Sequence, residues 1–497
     1  MTAGQKVRRD RSQAKRALAR LTSGGVAGVA LLCTALALTA TPASATASVT
    51  ASPVKAGTVE ASTVKASSQT PTAADWPAYL DGPQHASFNA SQTVITPTTA
   101  PSLTQRWRFS TGHYEASPTV AAGRVYIGSE NGWFYKLSMY TGKVLAKVYL
   151  GHQPARTCPA NGITSTATVA VNPHDKVLTI YVAGGDGYLY ALKASNLRPE
   201  WRSVIGIPSR KINNYYDWSS PTVSHNRVYI GISSSCDKPL VRGGLLAFDE
   251  GTGKKLGQFF TVPAGAKHFG GSVWSSIAVG PNGDVYATTG NGPKYDQFLQ
   301  NSDSILKFSP IRLRLLGWYK VPRRQATADG DFGASPVFFG SDVGACNKNG
   351  IFYAVSRATM KIVWSKRIAS ASGGMAECLA APAFNGTDLF LGGSKTTIDG
   401  TAYAGSVQER LATNGTLVWE TGMTGSVIGS PALDGGGVLT AGTFSGSPAG
   451  VFLINATSGA VIEQLTTGST FGQSVFASDR LFTANSNGVA AWGLPGT

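Results

Sequence analysis

The chain has 497 residues, 42% hydrophobic, with 59 glycines and a formal net charge of +16. Much of that charge sits in the first twenty residues. Without residues 1–45 the formal charge is +10 and no dense basic run remains, which argues against a nucleic-acid partner and leaves a diffuse positive surface suited to anionic ligands or cell-surface polymers.

Residues 1–45 read as a targeting segment. Lys6, Arg8, Arg9, Arg11, Lys15, Arg16 and Arg20 precede an apolar run from Val26 to Leu38, and Ala43-Ser44-Ala45 supplies small residues for cleavage. The run is too short and too rich in Gly and Ala for stable membrane insertion. Cys33 lacks the small residues expected before a lipid-modified cysteine, and Asp10-Arg11-Ser12 continues a twin-arginine pattern poorly. The expectation is an exported, soluble protein: secreted, or periplasmic where the host has an outer membrane. Residues 46–74 are almost all Ala, Ser, Thr, Val, Pro and Lys, a linker that cannot bury a core.

From residue 75 to 497 one domain is expected, because the chain repeats. In "SPTVAAGRVYIGSENGWFYKLSMYTGKVLAKVYL" (117–150), Ser-Pro leads into a short strand. An alternating strand, an Asn-Gly turn, an aromatic strand, a Thr-Gly turn and an outer strand follow. The same order returns at 165–205, 219–262, 272–321, 334–369, 378–422, 427–466 and 471–494. Trp201, Trp318, Trp364 and Trp419 fall in the fourth strand of their units. Almost nothing reads as a helix. The pattern predicts an all-β, eight-bladed propeller of four-stranded blades. The last unit stops after three strands, and "QRWRFST" (105–111) reads as a fourth, so an N-terminal strand pairing with 488–494 closes the ring.

Four cysteines lie beyond the targeting segment: Cys158, Cys236, Cys346 and Cys378. Their loops share one face of a propeller, and the pairing that needs least chain movement is 158–236 with 346–378. The same face collects three departures from the repeat. Blades 1, 2, 5 and 8 join their second and third strands tightly. "ISSSCDKPLVRGG" in blade 3, "NGPKYDQFLQNSD" in blade 4 and "GSKTTIDGTAYAGS" in blade 6 are long inserts. Extra loop length does nothing for the sheet, so a ligand site over the central channel is expected.

At these inserts the chain resembles the quinoprotein alcohol dehydrogenases, especially their shorter secreted relatives acting on polyvinyl alcohol. "VYATTGNG…DSILKF", "NKNGIFYAVSRATMKIVW", "DFGASPVF" and "GGSVWSS" carry the resemblance, concentrated in blades 3 to 5. It implies pyrroloquinoline quinone (PQQ) over the channel with a calcium ion. On this resemblance Asn291 supplies a calcium oxygen, and Asp296 is both a candidate metal ligand and the base that accepts the alcohol proton, with Asp303 as the competing base. Trp274 forms the floor beneath the quinone, Lys348 meets a quinone oxygen or carboxylate, and Arg242 adds positive charge. The family's calcium-binding Glu in the blade 3 loop is replaced by Lys238, leaving Asp237 as the substitute ligand. No C-x-x-C-H haem motif is present, so an external electron acceptor is implied. The expected function is oxidation of an alcohol, monomeric or polymeric. The alternative is a noncatalytic propeller that uses the same loops to bind a cell-surface polymer or protein. A scaffold like the assembly propellers of the outer membrane is disfavoured by the missing lipid-attachment cysteine.

Overall fold

The computed structural model describes residues 70–110, 112–153, 162–206, 215–237, 240–293, 300–370, 378–446 and 449–496. Among these the strands form eight antiparallel sheets in a ring. Seven blades take all four of their main strands from one consecutive unit. In the eighth, Thr104–Phe109 pairs with Gly488–Gly493, with Thr104 opposite Gly493 and Phe109 opposite Val489. The predicted ring closure is therefore present. In blades 1 and 5 the first strand is short and fully buried, while the fourth, the outermost of the blade, is largely exposed.

Two devices join neighbouring blades, and both are written in the repeat. Around the channel, a backbone N–H at the start of one blade donates to a hydroxyl of the next. Gln473 N–H reaches Ser117 Oγ, Ser117 reaches Thr166, Thr166 reaches Ser220, Ser220 reaches Ser276, and Ser276 reaches Ser335, all at 2.8–3.0 Å. Blade 6 has Ala381 at this place, so it offers no hydroxyl, but its own N–H donates to Ser430 Oγ at 3.0 Å. On the outside, the fourth-strand tryptophans lock onto the next blade's turn. Trp364 Nε1–H donates to Ala412 O at 2.9 Å, and a Cβ on Gly415 would stand 2.6 Å from Trp364 Cε3. Trp107 with Gly142, Trp201 with Gly253, and Trp419 with Gly459 repeat the arrangement. Blade 5 carries Met360 (φ 52°) where this glycine stands elsewhere, and Trp318 of blade 4 is 58% exposed.

The residues before the ring have a structural role that the sequence does not announce. The segment from Ala74 to Ser87 runs around one mouth of the channel and takes up N–H groups from the first strands. Val120 donates to Trp76 O, Val169 to Pro77 O, Val279 to Pro83 O, Phe338 to Gln84 O, Phe384 to Ala86 O and Leu433 to Ser87 O, at 2.8–3.2 Å. Ser478 of blade 8 donates to Ala74 O at 2.7 Å. The chain then adds Phe88–Asn89 as a parallel fifth strand on blade 7. Tyr79 points into the channel and meets Ser430 Oγ at 3.1 Å. His85 is 1% exposed, with Nδ1 2.8 Å from Pro336 O. Inner strand edges that would otherwise present free N–H groups are thereby satisfied. The channel is closed at this end and approached from the other.

One expectation is revised. The blade 6 insert does not loop over the mouth. Asp388–Ile398 and Thr401–Leu411 continue as an eleven-residue hairpin closed at Asp399-Gly400. Its alternating Thr, Ile, Ala and Tyr residues pair as strand, and Asp-Gly suits the tight turn.

Candidate functional site

The open mouth carries the connections between blades and the turns between second and third strands. Cys346 and Cys378 are joined there as expected, with Cα atoms 5.2 Å apart. Cys236 is disulfide-bonded, and Cys158, its expected partner, lies outside the described residues.

Lys348 anchors the cluster that forms at this mouth. It follows the second strand of blade 5 in a tight Lys-Asn-Gly turn, and its side chain runs inward beside the axis. Nζ donates to Asp331 Oδ2 at 2.6 Å and lies 3.1 Å from both oxygens of Asp329. It also stands 5.5 Å from the centre of the Trp274 ring. Burial alone would lower the ammonium's hold on its proton, but Asp331 and Asp329 more than offset that and drive it well above the ordinary lysine range. Asp331 binds a second group, accepting the Asn291 backbone N–H on Oδ1 at 2.6 Å. Blades 4 and 5 are thus stitched together through one carboxylate.

Asp303 and Asp237 complete the acidic side. Asp303 is 4% exposed at φ 50°, and its backbone N–H donates to Gly290 O at 3.0 Å. Its Oδ1 is buried with no hydrogen-bond partner. Burial, then the charges of Asp331 and Asp329, hold this carboxyl well above the usual range, against an opposing pull from Lys320. Asp237 accepts from Ser234 Oγ at 2.6 Å and is pushed up to about 6, chiefly by burial and then by Asp331. Ser234 N–H in turn donates to Ser272 Oγ at 3.2 Å, beside Trp274.

Trp274 is half-buried at the head of the axial cavity. A Cβ on Gly333 would come within 2.6 Å of Trp274 Cη2 and 2.3 Å of Leu379 Cδ2, so only glycine lets the indole lie there. The cavity below has a volume of about 70 Å³ and is lined by hydroxyls, Tyr79, Glu115, Trp218 and Phe471. That is room for a few waters and not for a three-ring cofactor, which would have to lie above Trp274 at the mouth. Glu115 is pushed up to about 6 by burial, and Glu130 to about 8 by burial and by Glu115.

Of the residues expected from sequence, Trp274, Asn291, Asp303, Lys348 and Asp237 meet at this mouth. Arg242 does not join them. Its Nε–H donates to Val262 O at 2.6 Å and its guanidinium lies 3.8 Å from the centre of the Phe260 ring, so it ties a loop to the outer strand of blade 3. Asp296 and Lys238 lie outside the described residues. Sequence reasoning missed Asp329 and Asp331. The signal was available: two acids one residue apart in "TADGDFGASP", just ahead of a blade, in a chain with only 27 acidic residues.

The donor set fits a hard cation. Four aspartates share a patch in which Lys348 is the ammonium hydrogen-bonded to two of them, Asp303 keeps a buried oxygen unpartnered, and Asn291 adds an amide oxygen. Among the described residues no three His, Cys, Asp or Glu side chains form a metal cage by themselves, so amide and carbonyl oxygens would be needed. A tricarboxylate quinone fits only after such a cation, because carboxyls outnumber ammonium groups in the patch and would repel it.

A family model described as outer membrane protein assembly factor BamB matches residues 90–298 and 164–377. Quinohemoprotein alcohol dehydrogenase ADH IIB of Pseudomonas putida is 25% identical over 245 residues, 39% of this chain. The match spans 34% of that protein's length. The crystal structure of quinohemoprotein alcohol dehydrogenase from Comamonas testosteroni has a TM-score of 0.66 at 15% identity, covering 85% of this chain and 81% of that one. A europium-containing methanol dehydrogenase has a TM-score of 0.68 at 14% identity, covering 85% and 98%. At these identities the solved structures establish a shared propeller fold. Among the described residues no helix is long and apolar enough to cross a membrane.

Proposed function

The chain belongs to the repeat family described as outer membrane protein assembly factor BamB, and from that premise we propose that this member is an exported oxidoreductase. It oxidises an alcohol, simple or polymeric, using PQQ and calcium at the open mouth. The observation that carries this reading is the Asn291–Asp331–Lys348 linkage beside Trp274, with the unpartnered Asp303 oxygen in the same patch. Such a set of buried, mutually perturbed carboxyls has no use in closing the ring, and perturbed groups cluster where chemistry occurs.

When bound, the quinone supplies the hydride acceptor, and the calcium ion polarises it. Asn291, Asp237 and Asp303 would hold the metal, and Trp274 would carry the quinone's flat face. Lys348 would orient the quinone's oxygens while remaining tied to Asp331. As placed, Asp303 holds its proton more tightly than a free carboxyl, because burial and Asp331 disfavour its charged form. A cation beside it would reverse that balance and free Oδ1 to take the alcohol's proton. Asp296 would serve if the 294–299 segment brings it to the same place. Two electrons and two protons leave the alcohol, and an external acceptor must finally remove the electrons.

The second reading, a noncatalytic propeller binding a polymer or protein, draws on the assembly-factor description of the family. Titration calorimetry with PQQ, with and without calcium, separates the two. The enzyme reading expects saturable quinone binding only when calcium is present, with dye-linked alcohol oxidation lost in Asp303→Asn or Asp296→Asn. Failure of PQQ to bind at any calcium concentration rejects it.

A further inference from the structure

The opposite face of the ring carries a groove that the proposed chemistry does not use. It has a volume of about 680 Å³ and lies where blade 8 meets blade 1, lined by Thr72, Ser91, Gln92, Tyr140, Asp479 and Arg480. Arg480 is 9% exposed. An arginine with so little of its surface exposed normally pairs with a carboxylate. Among the described residues no acid lies within ion-pairing distance of it. Its one hydrogen bond is a long 3.4 Å contact from Nη1 to Met139 O. The guanidinium instead stands 5.2 Å from the ring of Tyr140, which is 59% exposed.

Nearby Arg106 gives Nη2–H to Leu494 O, while its Nε–H is buried without a partner. Burial and the Arg106 charge both weaken Arg480's hold on its proton, with Tyr140 opposing them, so an anion in the groove would improve the charge balance there. Asp479 and the hydroxyls of Thr72 and Ser91 edge the same groove. A bare anion gains nothing from Asp479, whereas an anion bearing hydroxyl groups can donate to it.

We propose that this groove binds a polyhydroxylated anion, the oxyanion held by Arg480 and the polyol part by Tyr140, Asp479 and the neighbouring hydroxyls. A sugar acid and a polyol phosphate share this chemistry. The site lies on the plugged face, so a ligand held there leaves the open mouth free.

The test is titration of the full chain with glycerol phosphate, trigalacturonate and inorganic phosphate at low salt. At least one of the first two should bind with a sub-millimolar Kd, and which one does identifies the source of the oxyanion. Affinity should fall about tenfold in Arg480→Gln and at least threefold in Tyr140→Ala, and weaken as salt is raised. Tyr140 is exposed, so if Arg480→Gln fails to fold, Tyr140→Ala and Arg106→Gln decide the matter. Absence of saturable binding by either polyol anion, or unchanged Kd in the folded variants, would overturn the proposal. Equal affinity for inorganic phosphate would remove its polyol part. None of these outcomes depends on quinone or calcium binding.

Discussion

Replacing Lys348 by Met removes the ammonium that, among the described residues, bridges Asp331 and Asp329. The Lys348 and Asp331 side chains are 9% and 8% exposed, so Asp331 is left charged in a poorly solvated place. Breaking one side of a buried pair costs about 3–5 kcal/mol. Asp329, at 41% side-chain exposure, is largely solvated and adds little. Asp331 keeps the Asn291 N–H at 2.6 Å, which places the expected loss near the lower bound, about 3 kcal/mol. For a unit spanning residues 65–497, an unfolding entropy of about 2.1 cal/mol/K per residue converts this to a fall in Tm of roughly 3 °C. Asp331→Asn in the same background still accepts the Asn291 N–H but carries no charge. The double variant should therefore be more stable than Lys348→Met alone, with a coupling of about 2 kcal/mol. Scanning calorimetry of the four proteins at pH 7 without ligand measures this. Calcium should also raise the Tm of Lys348→Met more than that of the parent, because the patch then lacks its internal cation. A Lys348→Met protein that melts with the parent, or a double variant whose loss equals the sum of the singles, would refute the argument.

The interblade locks give a second set of outcomes. Trp364→Ala should lose about 3–5 kcal/mol of stability as a cavity opens against blade 6, and Gly415→Ala about 2–4 kcal/mol, since its Cβ meets Trp364 at φ 69°. Urea denaturation reads both. Across these buried groups stability should fall as pH rises from about 4.5 to 7, because two raised acids outweigh one lowered histidine. Burial raises Glu250 and Asp434 to about 7, so the folded chain keeps protons that the unfolded chain has released, and stability falls as pH rises through 7. Burial lowers His85 to about 4, so between about 4 and 6.5 the unfolded chain binds a proton that the folded one refuses, which partly offsets that trend. In His85→Gln the fall between about pH 4.5 and 6.5 in a Tm–pH profile should steepen. Removing the Cys346–Cys378 bond by Cys378→Ala should cost roughly 3–4 kcal/mol, from a loop of 32 residues.

The ring itself was legible because its determinants are local and recur. Ser-Pro before a strand, Asn-Gly or Asp-Gly between strands, and a fourth-strand tryptophan each act within one unit, so periodicity alone revealed eight blades and the displaced closing strand. Trp318 was legible as a strand residue, but Gly317 takes the register position that Trp364 fills in blade 5, so Trp318 falls on the exposed face of its strand. The plug could not be read at all. Residues 74–87 look like a polar, proline-broken lead-in, and their partners at Val120, Phe384 and Ser478 are 44 to 404 residues away. Only closure of the ring creates the circle of N–H groups that this segment satisfies. The same holds at the open mouth. The sequence nominated Trp274, Asn291, Asp303 and Lys348 one by one, and it also nominated Arg242, whose side chain the fold turns onto Phe260. It could not assign Asp331, because that residue's part depends on Asn291 and Lys348 arriving from two different blades to share its carboxylate. Local repeats decide which elements form. Which charges are buried together is decided by packing, since the cost of burial and the attraction that offsets it exist only once the blades have met.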